Sequence, residues 1–316
     1  MRSDVVPSSS ALTVLGSSVE VETNGDTVLV EGGTEVESSS PLSGEYVTYE
    51  TFDLPHSLIH VIRIAPDAPV TIQPVVDPDG LEKLEVLAEQ QGAIAAINGG
   101  FFDPNNQQTT SYVTIAGTLV LDPEQNRGLM ENPNVSTYLP RILNRAEFRR
   151  YQCATANGLE TDYAIAAHNR LIPSGCQLMD ALGAGPALLP EFRGEAEAFI
   201  DATSNRDALG ASRPNARSGL GITPDGTILL IMAAQRPPVG DVAVSPTGVS
   251  LFELAQIMAD LGAEQGMNLD GGSSSSLYYD GTTYYGRLDV SGNEIRRSVK
   301  SVLVVTKNNG MQAPSF

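Results

Sequence analysis

The chain has 316 residues, 38 Asp plus Glu against 19 Lys plus Arg, and a formal charge of −19 at neutral pH. That balance argues against a nucleic-acid partner, because a phosphate backbone is repelled unless a basic stripe meets it, and the cations here are scattered. Sixteen of the nineteen cations are arginine, whose planar fork grips phosphate or carboxylate where lysine offers a point charge.

Residues 1–44 are rich in Ser, Thr, Glu and Gly, with Ser8-Ser9-Ser10 and Ser38-Ser39-Ser40-Pro41, and read as a linker or loosely attached arm. The first residues lack the apolar core of a signal peptide, and no run of about 18 apolar residues would span a bilayer. From Tyr46 the pattern is globular. Stretches 47–52, 58–64 and 70–76 are β-branched or alternating and read as strands. Asp79 can cap a helix with Glu82 as reciprocal partner, with Leu81, Leu84, Leu87 and Ala88 as its buried stripe and Gly92 as its end. A short apolar strand, 93–97, then runs into Asn98-Gly99-Gly100-Phe101-Phe102.

Hairpins follow at 112–115/118–121 around Ala116-Gly117, and at 218–222/227–232 around Pro224-Asp225-Gly226. Weaker helical patterns cover 141–149 and 194–200. Cys153 and Cys176 lie 23 positions apart on either side of a hairpin pattern; they read either as a disulfide or as two inert thiols. Ser250 and Glu253 form a capping box for a second helix, with Leu251, Leu254, Ala255, Met258 and Leu261 on one face and Gly262 as its stop. Strand 265–269 leads to Asp270-Gly271-Gly272-Ser273-Ser274, hairpin 278–285 follows, and 299–305 closes the pattern. The fold class is α+β or mixed α/β: one strand-rich domain over 45–307, with twisted mixed sheets, a few flanking helices, and a tail at 308–316.

A helix, a buried strand and an [Asn/Asp]-Gly-Gly loop thus occur twice, about 170 residues apart, as an internal pseudo-repeat. A short polar side chain stands where each buried strand emerges, and the glycines after it allow close backbone approach to a ligand. The plain alternative for Asp270-Gly271 is a turn, against which four following serines favour an anion-friendly pocket. Neither a G-x-S-x-G elbow nor a Walker loop is present. Glu253 is explained by its cap. Asp103 divides evenly between turn and site, while Asp225 and Asp280 are hairpin residues. By pattern alone Arg217 and Arg297 are ordinary surface arginines. His56 and His60 lack the Glu of H-E-x-x-H, so zinc has little support. No cofactor is required, although Asp103-Pro104-Asn105-Asn106 could offer oxygen ligands to Ca²⁺ or Mg²⁺.

Four pieces together resemble the phosphodiester glycosidase family: Asn98-Gly99-Gly100-Phe101-Phe102-Asp103, Gly183-Ala184-Gly185-Pro186-Ala187-Leu188-Leu189, Arg217-Ser218-Gly219-Leu220-Gly221, and the helix from Ser250 through Asn268-Leu269-Asp270-Gly271-Gly272-Ser273-Ser274. The family pattern has Thr-Ala where Ser218-Gly219 stands, and Gly where Ser273 stands. The resemblance covers about Tyr46 to Val305.

It implies hydrolysis of the bond between a sugar and a phosphate-bearing group, giving free sugar and a phosphomonoester. Phosphate is a good leaving group, so one carboxylate suffices where an ordinary glycosidase needs two. On this resemblance Asp270 is the nucleophile, base or oxocarbenium stabiliser, and Asn98 binds a sugar hydroxyl or orients it. Arg217 and Arg297, with Gly99, Gly100, Gly271, Gly272, Ser273 and Ser274, would hold the phosphate, with Phe102 and Asp103 beside them. The two Gly-Gly loops would face one cleft. The partner implied is a phosphorylated carbohydrate, the setting extracellular or periplasmic with the leader absent from this chain, and the oligomeric state open. The reading from another class is a non-catalytic polysaccharide-binding or exopolysaccharide assembly protein with the same pocket.

Overall fold

A computed structural model of the chain describes residues 46–77, 79–237 and 247–308. The arm expected at 1–44, and the tail beyond 308, lie outside them. Three antiparallel sheets account for most of what is described. The first has the order β1 (Val47–Leu54), β2 (Ser57–Ile64), β14 (Ile228–Gln235), β13 (Arg217–Ile222), β15 (Gln265–Asn268), β10 (Ala187–Leu189). The second runs β17 (Thr282–Tyr285), β16 (Ser276–Tyr279), β4 (Ala95–Asn98), β18 (Ser301–Lys307), β3 (Val70–Val76). The third runs β6 (Thr118–Leu121), β5 (Val113–Ile115), β9 (Cys176–Gly183), β7 (Ala146–Thr155), β8 (Gly158–Ala167). A two-stranded ribbon, β11 (Ile200–Asp201) with β12 (Arg206–Asp207), stands apart. The helices are α1 (Leu84–Gln90), α2 (Arg127–Met130), α3 (Leu139–Ile142) and α4 (Leu251–Asp260).

The pseudo-repeat is real in space. The chain passes from β3 through α1 to β4, two strands of like direction held apart by β18, which is antiparallel to both. It passes in the same way from β14 through α4 to β15, with β13 between them. Each crossover skips one position occupied by a strand of opposite sense, and every pairing among the described strands is antiparallel where mixed sheets were expected.

Burial follows from this layering. Ile62, Ile64, Leu220, Leu230 and Met232 of the first sheet meet Ile97, Leu277, Leu303 and Val305 of the second, and the third sheet adds Val113, Phe148 and Leu182 to the same core. The opposite face of the first sheet packs Ile59, Val61, Leu229 and Ile231 against Leu251, Leu254 and Met258 of α4. The outer face of the second packs Ala96, Val302 and Val304 against Leu84 and Leu87 of α1. Both central sheets are therefore covered on both faces. This explains why β14 is a nearly unbroken apolar run (ILLIMAAQ) instead of an alternating one.

The expected strands and hairpins are present, with Ala116-Gly117 and Asp280-Gly281 both at positive φ in their turns. At α4 both halves of the capping box form: the Ser250 hydroxyl accepts from Glu253 N (3.1 Å), and Glu253 Oε2 accepts from Ser250 N (2.8 Å). The first helix starts later than expected. Asp79 and Glu82 do not cap it, because Asp77 Oδ1 draws Asp79 N and Gly80 N into a turn and Glu82 bridges to Val299. Its N-cap is Lys83, without a side-chain bond. The helices expected at 141–149 and 194–200 are also corrected. Only Leu139–Ile142 is helical, 146–155 is a strand flanked by β8 and β9, and 194–200 is a turn ending in β11. Cys153 and Cys176 stand opposite each other on β7 and β9 and form a disulfide. Replacing the cap by Ser250→Ala should lower stability by about 1 kcal/mol, read as a shift in urea midpoint without a change of slope.

Candidate active site

β4 and β15, the two strands that follow the covering helices, end side by side, and their Gly-Gly loops are bonded to one another. Asn98, fully buried, donates from Nδ2 to the Asp270 carbonyl (2.7 Å), and Asp270 N donates to the Gly99 carbonyl (3.0 Å). Asn98 Oδ1 accepts from the Ser218 hydroxyl (2.6 Å) and from Ser276 N (3.1 Å). The two loops therefore meet through hydrogen bonds to each other. Asn98 is thus tied to the Asp270 backbone.

The two loops differ in depth. Asn98, Gly99 and Gly100 are buried, whereas Asp270 through Ser273 keep an edge to solvent. Gly99 N donates to the Ser301 carbonyl (2.8 Å) and Gly100 N to the Ser301 hydroxyl (3.2 Å). A Cβ on Gly100 would lie 2.1 Å from the Gly183 carbonyl oxygen. These glycines serve close packing. Gly272 N is also taken, by the Ala216 carbonyl (2.8 Å), and Gly271 N donates to Asp270 Oδ1 (3.0 Å). The N–H groups expected to cradle a phosphate at Gly99, Gly100, Gly271 and Gly272 are thus spent inside the protein.

Arg217 is placed differently from its expected role as well. Its Nε donates to the Val249 carbonyl (3.2 Å), Nη1 to Leu209 (3.1 Å), and Nη2 to Gly210 (2.8 Å) and Arg213 (3.0 Å). It is buried, and burial pulls its guanidinium down to about 10. Four backbone carbonyls occupy the fork, so Arg217 ties the 209–213 turn and the entry to α4 onto β13. Asp103 follows the turn reading: its Oδ1 accepts from Asn105 N (2.8 Å) and Asn105 Nδ2 (3.0 Å). Among the described residues no group of three or more His, Cys, Asp or Glu could hold a metal ion.

What gathers around Asp270 is Arg297, Ser273, Ser274 and Phe102. Arg297 Nη1 donates to the Ser273 hydroxyl (3.0 Å), and its guanidinium lies over the Phe102 ring at 4.8 Å. Burial pushes the Asp270 carboxyl up to about 6, while the Ser274 hydroxyl, the Arg297 charge and the Gly271 N–H favour its ionised form. An acid poised there changes state near neutral pH.

Sequence reasoning missed a second arginine. Arg287 Nη1 donates to Asn215 Oδ1, and Asn215 lies against Gly272, so Arg287 and Arg297 approach the loop through Asn215 and Ser273 respectively. Neither is in a salt bridge, and each keeps N–H groups without a partner among the described residues. The contact between 215 and 287 spans 72 positions and left no local signal. Cavities of about 250, 550 and 570 Å³ open elsewhere on the molecule, so chemistry and not hole size marks this site.

The geometry defines a carboxyl held at the junction of two Gly-Gly loops beside arginine, and comparison with known proteins supplies its class. The phosphodiester glycosidase model matches residues 91–306, and the chain belongs to that family. Among solved structures it is similar to the catalytic domain of zebrafish N-acetylglucosamine-1-phosphodiester alpha-N-acetylglucosaminidase, at 17% identity and a TM-score of 0.57, with 82% of each chain covered. It is also similar to a hypothetical protein from Synechocystis (19%, TM-score 0.51, covering 82% of this chain and 61% of that one). A third likeness is to a protein from Burkholderia pseudomallei K96243 (18%, TM-score 0.52, covering 79% and 74%). These likenesses show a shared fold. No curated protein matches.

Two stability measurements follow. Arg217→Lys should cost about 2 kcal/mol or more, since a lysine cannot serve four carbonyls, while Arg297→Lys should cost only about 0.5 kcal/mol. Asp270 binds its proton more tightly folded, at about 6, than in the unfolded chain at about 3.9. Its contribution therefore weakens folding as pH rises from about 4 to about 6. Asp270→Asn removes that slope, so urea midpoints should show the variant gaining on the native chain between pH 4 and pH 7.

Proposed function

We propose that this chain hydrolyses the bond between a sugar and phosphate in a sugar-1-phosphodiester, releasing free sugar and a phosphomonoester. The observation that carries the reading is a single carboxyl, Asp270, raised to about 6 and accompanied by arginine and hydroxyl groups. An ordinary glycoside needs a second carboxylic acid to protonate its leaving oxygen. A phosphate group departs as a weak base, with a second pKa near about 6, so the departing charge needs stabilising more than protonating. Arg297 and Ser273 supply donors for it, and Arg287 can add its fork from the Asn215 side.

In this reading the ionised Asp270 carboxylate faces the anomeric carbon. It stabilises the oxocarbenium-like charge, or takes the proton of the attacking water, as the C–O bond breaks and its electron pair stays on the phosphate oxygen. Asn98 acts through the Asp270 backbone and fixes where that carboxylate stands. Family membership and the disulfide both support the reading, the latter pointing to an oxidising compartment outside the cytoplasm.

Incubation with UDP-N-acetylglucosamine or a synthetic sugar-1-phosphodiester should yield free sugar. Asp270→Asn should lower kcat by about 100-fold or more, and kcat/KM should rise with pH through about 6 as Asp270 ionises. Sugar-1-phosphate as product would mean P–O cleavage instead, and binding without release, unchanged in Asp270→Asn, would make the protein a polysaccharide-binding factor.

A further inference from the structure

A cavity of about 550 Å³ opens at the edge of the first sheet, where Leu189 and its neighbours on β10 face Ile165 on β8. Its polar wall carries several donors. Asn144 Oδ1 accepts from Asn169 N (2.9 Å), and Gln265 Oε1 accepts from Ile165 N (2.9 Å). Backbone N–H groups thus fix which end of each amide is bound, and both leave an NH₂ group with no partner among the described residues. Arg170 and Arg193 line the same cavity, are exposed, and make no side-chain hydrogen bond or salt bridge among the described residues.

The acids at this cavity do not cancel those donors. Both oxygens of the buried Glu197 are held by backbone, Oε1 by Ala187 N (2.9 Å) and Oε2 by Ala146 N (3.1 Å), and burial pushes its carboxyl up. Glu191 is the one exposed carboxylate among the lining residues. Arg193 lies close enough to Glu197 for its charge to favour the ionised carboxyl, but it spends no N–H on it. In a chain of charge −19, two guanidinium groups with N–H donors to spare and two outstanding amide NH₂ groups in one hollow select an acceptor-rich, negatively charged ligand. The apolar floor of Leu189 and Ile165 suits the face of a sugar ring, and such a mixed wall is typical of small-molecule sites.

We propose that this cavity is a second binding site, for an acidic saccharide bearing carboxylate or phosphate groups. Gln265 opens β15 and Asp270 stands five positions on, about 16 Å away at about 3.3 Å per residue. The strand between them is buried, so the cavity is a separate site and its binding does not rest on the function proposed above.

The test is calorimetric titration of the full chain with tri-galacturonic acid, glucose 6-phosphate and the neutral maltotriose. At least one acidic probe should bind the native chain and Asp270→Asn with the same Kd. The double variant Arg170→Ala/Arg193→Ala should bind it about tenfold or more weakly, and maltotriose should show no comparable binding. Because both arginines are exposed, the double variant should keep the native melting curve. Undiminished binding in the double variant overturns the proposal, as does loss confined to Asp270→Asn, equal binding of maltotriose, or no binding of either acid. If the hydrolysis assay fails, these affinities still stand or fall alone, so the two failures are distinguishable. The two acidic probes separate a carboxylate from a phosphate ligand.

Discussion

The side-chain amide of Asn98 is the point on which the site hangs. It is wholly enclosed, so each of its polar atoms has to find a partner within the protein or cost about 1–3 kcal/mol. The partners it finds come from three places: Ser218 in the first sheet, Ser276 in the second, and the carbonyl of Asp270 in the loop that emerges between them. One planar group with fixed donor and acceptor ends therefore sets the spacing of the two sheets and the position of the acid together. The Ser218 found in place of the family's Thr retains the hydroxyl this bond requires. Gly219, in place of Ala, leaves room for Met258 of α4, whose methyl would stand 2.3 Å from a Cβ there.

The glycine and arginine motifs divide between scaffold and chemistry in a way that composition does not reveal. Gly99 and Gly100 let Ser301 and Gly183 come close, and Arg217 ties down backbone that would otherwise carry unsatisfied carbonyls. The arginine beside Asp270 is Arg297 instead, and Arg287 reaches the same loop through Asn215. An acidic protein gains little from long-range attraction of an anion, so under the proposed function recognition would fall to short-range donors, while burial keeps the Asp270 proton within reach of neutral pH.

Much of the architecture was legible because its signals are local. The β-branched runs, the Ala116-Gly117 and Asp280-Gly281 turns and the Ser250–Glu253 box each involve a few neighbouring residues, and each forms as read. The pairing of the two loops was legible because the same unit recurs. Competition between nearby groups was not: Asp77 takes the N–H groups that would have made Asp79 a cap, and β8 and β9 impose strand on a helical pattern at 146–149. Side-chain direction was the other blind spot. Whether Arg217 or Arg287 keeps free N–H groups depends on carbonyls and amides brought together by the fold, and the family motif marked the first but not the second.

The order of strands in the second sheet has a consequence in time. Gly99 lies in the first third of the chain, yet the carbonyl and hydroxyl that hold it and Gly100 belong to Ser301 on β18, which also fills the gap between β3 and β4. Synthesis delivers the Asn-Gly-Gly loop some two hundred residues before its support. Until β18 inserts, β3 has no partner beside β4, and Gly99 and Gly100 lack the Ser301 groups that take their N–H donors. One of the last pieces of the described chain to emerge thus completes the packing of the first Gly-Gly loop, and a chain broken off before Ser301 would carry that motif without the groups that hold its glycines.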